Sequence, residues 1–326
     1  MVGQSDVPFR LTALQYGATS TWTCVCADRQ MYHTDDILGD SEKRQVLLKA
    51  LELGRTAPEA RTPAHTHAPQ IVQLAGNNPD ALVAAARSIP LADGFDINFG
   101  CPQKRAQEGH YGGYLLARRE WPLAEQLVGS LSQSVAVPVC AKIRLCSEAR
   151  DTAELVVRLA QAGADIVTIH ARHVAPSRRR AGPAKLEFVQ QAAHALKTAG
   201  LHASSGGRTR ILTNGNVRTH DDVVHNLAFT HADGAMVGEP LLGRPDIFLG
   251  EGVDAFAPLS TYLDMCARYG VDSPRECIQQ HVNHMIAARF APGRETRALS
   301  DALAAATTIA DMQQLCGRAM LGKQTK

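Results

Sequence analysis

A thiol placed where a strand gives way to a loop can do chemistry that a thiol in a core cannot. Cys101 occupies such a place, after the run FDINFG and before Pro102. The proline ring fixes the local backbone and removes one amide donor. Behind it lies QKRAQEGHYGGYLLARR, a glycine-bearing loop long enough to be a functional candidate. Residue type leaves two readings of the thiol open: an inert buried side chain, the commoner fate of a lone Cys, or a nucleophile with His110 as its base. A metal ligand is disfavoured, since Cys24 and Cys26 alternate across a strand while Cys140 and Cys146 lack a C-x-x-C partner pair. No metal is expected.

Other polar residues close other apolar runs: Gln73, Asn98, Lys142 with Arg144, His170 with Arg172, and Asn214. Strand side chains alternate, so Lys142 and Arg144 share one face, as do Thr168, His170 and Arg172. Buried cations are rare without a counter-charge. An anionic ligand would supply one, and so would salt bridges to acids such as Asp96 or Glu108. The glycines of TNGN (213–216) and VGEP (237–240) let a backbone approach a ligand closely. Helix-start amides near Thr219 and Pro240 could then face a phosphate. Neither GxGxxG nor GxxxxGK followed by Ser or Thr occurs, which argues against a Rossmann dinucleotide site and a P-loop.

The elements that must position these residues are short β-rich runs alternating with amphipathic segments. Strands are expected at 20–26, 70–75, 94–98, 138–143, 166–170, 210–214 and 234–238. Helices are expected near 41–53, 79–88, 120–134, 150–162, 184–199, 219–228 and 240–249, and PFRLTALQY precedes the first strand. Nearly continuous apolar strands alternating with helices indicate a parallel sheet covered by helices. Eight helices with seven strands fit a (β/α)8 TIM barrel lacking its first strand, and that strand is expected upstream of Met1. In such a barrel the C-terminal strand ends converge on the active site, and the loops after the last two strands form its phosphate site. From about Gly252 strand signals stop, and 259–270, 274–290 and 298–318 read as helices. The expected division is therefore a barrel over 1–252 and a small all-α domain over 253–326. Residues 197–210 read as an inserted surface loop.

Composition bounds the rest. The 326 residues are 45% hydrophobic and 20% charged, with a net charge of +2, so any basic surface must be local. No apolar run is long enough to cross a bilayer, and no membrane association is expected. Eight scattered cysteines suit a reducing compartment.

The motifs taken together resemble the tRNA-dihydrouridine synthase family. INFGCPQ resembles its Asn-x-Gly-Cys-Pro signature, and MVGQSDVPFRLTALQYGA resembles the family's start, where a strand ending in Ala-Pro-Met enters a Phe-Arg helix. VQLAG, AKIR, IHAR, LTNGN and MVGEPLLGRP follow in the family's order, so the resemblance covers essentially the whole chain. It is strongest to the eukaryotic branch acting at positions 16 and 17 of the tRNA D-loop. Separately, a monomer is expected, in the cytoplasm with the nucleus as the alternative. The resemblance implies an FMN-binding enzyme that uses NADPH or NADH to reduce a uridine of tRNA. It implies that Cys101 is the catalytic acid. An unperturbed thiol, with pKa about 8.5, is mostly protonated at neutral pH and suits that task. It implies flavin contacts at Met1, Gln73, Asn98, Lys142 and His170. It further implies cofactor contacts, mainly to the phosphate, at Asn214, Gly215, Asn216, Gly238 and Glu239. Arg144, Arg172, Arg178, Arg179 and Arg180 are candidate contacts to the RNA, as are Arg289, Arg294 and Arg297 in the helical part.

Three departures stand out: Thr23-Cys24-Val25 replaces Thr-Glu-Met or Thr-Pro-Met, Ala171 replaces the glycine of His-Gly-Arg, and Glu239 replaces an arginine. They keep two alternatives in view, a non-catalytic RNA-binding relative and an FMN barrel acting on a free pyrimidine.

Overall fold

The computed structural model describes residues 4–23, 33–62, 66–175, 182–250, 252–270 and 273–324. In chain order its helices and strands are α1 Val7–Gln15, β1 Thr21–Thr23, α2 Thr34–Gly39, α3 Ser41–Thr56, β2 Gln70–Leu74, α4 Pro79–Arg87, β3 Gly94–Phe99, α5 Lys104–Glu108, α6 Trp121–Ser134, β4 Val139–Leu145, α7 Ala149–Gln161, β5 Ile166–His173, α8 Leu186–Thr198, β6 Arg210–Asn214, α9 His220–Thr230, β7 Gly234–Met236, α10 Glu239–Gly243, α11 Ala257–Tyr269, α12 Arg275–Arg289, α13 Arg294–Ala305 and α14 Ile309–Gln324. Seven strands alternating with helices, followed by C-terminal helices, place the fold in the (β/α)8-barrel class.

The chain forms two compact units. One comprises Met31–Gln45 and Ile71–Val237, and the other Met1–Gln30, Val46–Gln70 and Gly238–Lys326. The start of the chain thus shares a unit with the C-terminal helices, a division drawn differently from one between residues 252 and 253.

In the strand-bearing unit, β2 to β7 are parallel neighbours in chain order. Their alternation decides which face meets the helices. Val72, Ile97, Ala141, Ile143, Val167, Ile169 and Ile211 are all fully buried and share one parity. Burying each of the larger side chains contributes about 1.5–3 kcal/mol. The helices supply matching stripes: α7 buries Thr152, Leu155, Val156, Leu159 and Ala160, an i, i+3, i+4, i+7, i+8 pattern. The opposite parity carries Gln73, Asp96, Asn98, Lys142, Arg144, Thr168, His170 and Asn214. The apolar face is spent on the helices, leaving the polar face for a ligand.

The strand starts are clamped by carboxylates. Asp165 accepts the Val139 amide at 2.8 Å, and Asp233 accepts the Ile211 amide at 2.7 Å and meets His202 Nε2 at 2.9 Å. The expected surface loop at 197–210 is therefore anchored. His202 and Thr209 are buried, and the Thr209 hydroxyl donates to Ala164 O at 2.7 Å.

Other differences from expectation have local causes. The helix expected over 240–249 stops at Gly243, because Pro245 disfavours helical backbone at Arg244. The segment 298–318 is two helices, α13 and α14. Thr308 and Asp311 exchange hydrogen bonds of 3.1 Å between side chains and amides, starting a new helix there. The strand expected over 20–26 is seen as Thr21–Thr23, and Cys24 to Cys26 lie outside the described residues.

In the other unit, α1 begins at Asp6, whose carboxylate accepts the Phe9 amide at 2.9 Å. Phe9 joins a core with Leu259, Tyr262, Leu263, Val282, Met285 and Ile286. Asp246 is fully buried beside Arg244 and Arg289. Burial works to raise its pKa, but hydrogen bonds from the two guanidiniums outweigh this and hold it below the usual carboxylate range. Arg289 is thus spent inside the protein and is withdrawn as an RNA contact, whereas Arg294 and Arg297 are exposed.

Candidate active site

The polar ends of β2 to β6 assemble one constellation. Register sets Asn98 beside Lys142 and Lys142 beside Thr168, then, one step further along the strands, Arg144 beside His170 and His170 beside Asn214. Side chains on four successive strands, β3 to β6, therefore stand in two adjoining rows of one face, and Gln73 of β2 lies beside Asp96 one step before them.

A directional chain of hydrogen bonds fixes the first of these side chains. Asp96 is fully buried and accepts from Gln73 Nε2 at 2.6 Å. A carboxylate can only accept, so Gln73 must turn its Oε1 the other way, where Asn98 Nδ2 donates to it at 2.8 Å. Asn98 Oδ1 is then left to accept the amides of Gly100 at 3.0 Å and Cys101 at 2.9 Å. A buried charge thereby orients the turn that presents the thiol. Asp96 is a positioning residue that residue type alone did not single out, beyond its being an acid inside an apolar strand.

Two glycines complete the turn. Gly112 has φ +66°, and a Cβ there would lie 3.0 Å from both Cys101 Cβ and Cys101 O. The Gly113 amide donates to Cys101 O at 3.0 Å. The long loop after Pro102 is thus the cradle of Cys101, and it holds the short helix α5, whose one buried side chain is Ala106. Tyr114 Oη donates to Pro102 O at 3.2 Å. His110 faces Glu120, at 3.1 Å, where a base for Cys101 would need to face the thiol. Cys101 is half-buried, whereas Cys140 and Cys146 are buried. Burial, and then the charge of Asp96, push the Cys140 thiol well up, and burial pushes Cys146 up to about 11.

The cations are held by the protein itself. Arg144 donates from Nε to Gly100 O at 2.9 Å and from Nη1 to His173 O at 3.2 Å, bracing the same turn. Burial, then repulsion from Arg172, lowers its pKa, and the nearby Cys101 thiol opposes that shift. Arg172 donates to Gly182 O at 2.9 Å and to Asn216 Oδ1 at 2.9 Å, and its Nη1 lies 3.3 Å from His170 Nε2. Both arginines, expected as RNA contacts, hold loop backbone or loop side chains. Arg178, Arg179 and Arg180 lie outside the described residues, as does Met1.

At the end of β6, Asn214 accepts from Lys142 Nζ at 3.4 Å and donates to Met236 O at 2.7 Å. Gly215 has φ +127°, and a Cβ there would come within 2.8 Å of Ala184 Cβ and 3.1 Å of Arg172 Nη1. Asn216, with φ +52°, bonds Ala184 through both its amide atoms. Gly238 and Glu239 belong to the other unit, at the start of α10. Thr168 Oγ1 is buried without a hydrogen-bond partner on the same face as Lys142. Side-chain amides, an imidazole, a lysine and an unpaired hydroxyl suit a flat polar ligand bearing an anionic group. FMN, the cofactor implied by the resemblance, is such a ligand.

The chain is similar to known proteins over most of its length. A family model described as dihydrouridine synthase (Dus) matches residues 1–307. A Schizosaccharomyces pombe tRNA-dihydrouridine(16/17) synthase of the NAD(P)(+) type is 30% identical over 270 residues, covering 82% of this chain and 61% of the relative. A similarly named protein of Mus musculus is 29% identical over the same length, covering 82% and 50%, and one of Saccharomyces cerevisiae is 28% identical over 249 residues, covering 76% and 52%. The chain spans about half to three-fifths of the length of these relatives. A solved complex of 2-naphthoyl-CoA reductase shares the fold, with TM-score 0.52 and 12% identity, covering 76% of this chain and 46% of that one.

Proposed function

Because the chain belongs to the dihydrouridine synthase family, we propose that it reduces uridine in the D-loop of tRNA to 5,6-dihydrouridine, with FMN bound and NADPH or NADH as reductant. The observation that carries the reading is the turn at Cys101, where the backbone that carries a half-buried thiol is held by Asn98, Gly113 and Arg144 beside a polar strand face. Bound FMN, once reduced by NADPH or NADH, would supply hydride to C6 of the uracil. Gln73, Asn98, Lys142 and His170 would hold its ring system, with Met1 as a further contact. Asn214, Gly215, Asn216, Gly238 and Glu239 would hold its phosphate side.

The chain's own chemistry is a proton transfer. When C6 is reduced, C5 gains electron density. The Cys101 S–H bond breaks as a C5–H bond forms, and the thiolate left behind regains its proton from water. Arg144, whose charge is felt at Cys101, favours that transient thiolate. The uridine must turn out of the folded RNA to present its face to the site. Phosphate contacts are proposed for Arg172, Arg178, Arg179 and Arg180, with Arg294 and Arg297 as outer contacts. The names of the relatives favour positions 16 and 17, and we place the protein, as a monomer, in the cytoplasm or nucleus. No helix among the described residues is long and apolar enough to cross a membrane.

The test incubates the protein with FMN, NADPH and an unmodified tRNA transcript, and locates the nucleosides that gain two hydrogens. Dihydrouridine at positions 16 and 17 is expected. A flavin-loaded protein that leaves every uridine unchanged would overturn the activity, and reduction confined to other positions would overturn the site preference.

A further inference from the structure

A second cluster of reactive side chains lies away from Cys101, within the unit that holds the C-terminal helices. Asp6, Cys277 and His281 bring one carboxylate oxygen, one thiol sulfur and one ring nitrogen to within 4.8 Å of one another. Cys277 and His281 are four residues apart on α12 and so share a helix face. Asp6 is the residue that caps α1. The separation of 271 residues between Asp6 and Cys277 explains why no sequence spacing reveals the set.

His281 is the observation that needs explaining. It is 0% exposed, and neither Nδ1 nor Nε2 has a hydrogen-bond partner. A buried imidazole without partners is costly, because its desolvation is not repaid. Its ring is nonetheless held firmly. Phe9 stacks on it at 4.4 Å between centroids and Tyr262 lies 5.1 Å away. Its Nε2 points toward Asp6 Oδ1 at 3.9 Å, while Cys277 Sγ lies 3.9 Å from Asp6 Oδ2. These spacings are too long for strong hydrogen bonds.

We propose that Asp6, Cys277 and His281 form a zinc site that ties the start of α1 to α12. A tetrahedral zinc with S, N and O ligands sets its donors roughly 3.4–3.6 Å apart, so small side-chain rotations close the set. A carboxylate and a thiolate balance the +2 charge, with the thiol proton released on binding, and a water fills the fourth position. A mixed S, N, O donor set suits a borderline cation such as zinc better than calcium or magnesium. The surrounding groups already orient the carboxylate: Tyr262 Oη donates to Oδ2 at 3.2 Å and the Phe9 amide donates to Oδ1 at 2.9 Å.

The test is made on the full chain and reads metal, not uridine reduction. Protein stripped with a chelator and reloaded with zinc chloride should retain one equivalent through gel filtration. Cobalt chloride in place of zinc should give a thiolate-to-cobalt charge-transfer band. Cys277→Ser should abolish that band, while Cys266→Ser and Cys101→Ser keep it, and Tyr262→Phe should weaken cobalt binding by about 10–100-fold. Should Cys277→Ser fail to fold, Cys277→Ala reads the same band, and the wild-type spectrum is decisive by itself. Folded wild-type protein that binds no zinc or shows no thiolate band overturns the proposal, as does a band that survives loss of Cys277.

Discussion

Gly112→Ala tests whether the loop after Pro102 holds Cys101 in place. The substitution does two things at once. At φ +66° an L-residue costs about 1–2 kcal/mol. The new Cβ also lies 3.0 Å from Cys101 Cβ and 3.0 Å from Cys101 O, where carbon contacts normally settle at about 3.5–4.0 Å. These neighbours are a Cβ and a backbone oxygen, so no flexible tip can swing aside, and overpacking adds about 1–3 kcal/mol. Restoring normal contact shifts Cys101 by roughly 0.5–1 Å, and a misplacement of about 1 Å at a reacting atom costs about 100-fold in rate. Gly200→Ala is the control, since Gly200 has φ +71° but nothing within 4 Å of its added Cβ. It carries the backbone strain without the packing. Initial rates of dihydrouridine formation on a tRNA transcript should fall about 10–100-fold in Gly112→Ala and stay near wild type in Gly200→Ala. Equal rates in all three proteins would refute the cradle.

Asn98→Ala leaves the amides of Gly100 and Cys101 without their side-chain acceptor. It should destabilise the protein by about 1–3 kcal/mol in denaturant titrations, and an unchanged midpoint would show that the turn does not depend on it. Asp246→Asn uncouples the buried pair with Arg289, at a cost of about 3–5 kcal/mol, toward the lower end because Arg244 is partly open to water. The pH dependence has a defined sign. A carboxylate held below its unfolded pKa of about 3.9 contributes stability above that pH and loses it as pH falls through the lower folded value. Acid titration of unfolding should therefore be shallower in Asp246→Asn, and identical slopes would remove Asp246 from the acid transition.

The barrel wall was legible because its signal is local. Each of VCAKIRL and IVTIHARH alternates between a helix-facing apolar parity and a ligand-facing polar one, and parity survives errors at strand ends. The loop cradle was less legible. Its length marked it, but the contact of Gly112 on Cys101 spans eleven positions of irregular backbone that no period describes. Arg144 and Arg172 stand out in the sequence because a cation in an apolar strand suggests an anion, but the protein groups that also hold them do not. Their partners are backbone carbonyls and Asn216 on neighbouring loops, which have no sequence signature. Arg289 misled for the same reason, its partner Asp246 lying far off in the chain. The hydrogen-bond chain from Asp96 to Cys101 was invisible because its direction depends on two amide orientations, each set by the one before.

The most direct test compares wild type with Cys101→Ala, each loaded with FMN and supplied with NADPH and unmodified tRNA. The thiol is half-buried beside the polar strand face, so its removal should leave flavin absorbance intact. General acid catalysis contributes about 100- to 10,000-fold, so dihydrouridine formation should fall by at least about 100-fold. A Cys101→Ala protein that binds flavin and forms dihydrouridine at the wild-type rate would contradict the assignment of Cys101 as the proton donor.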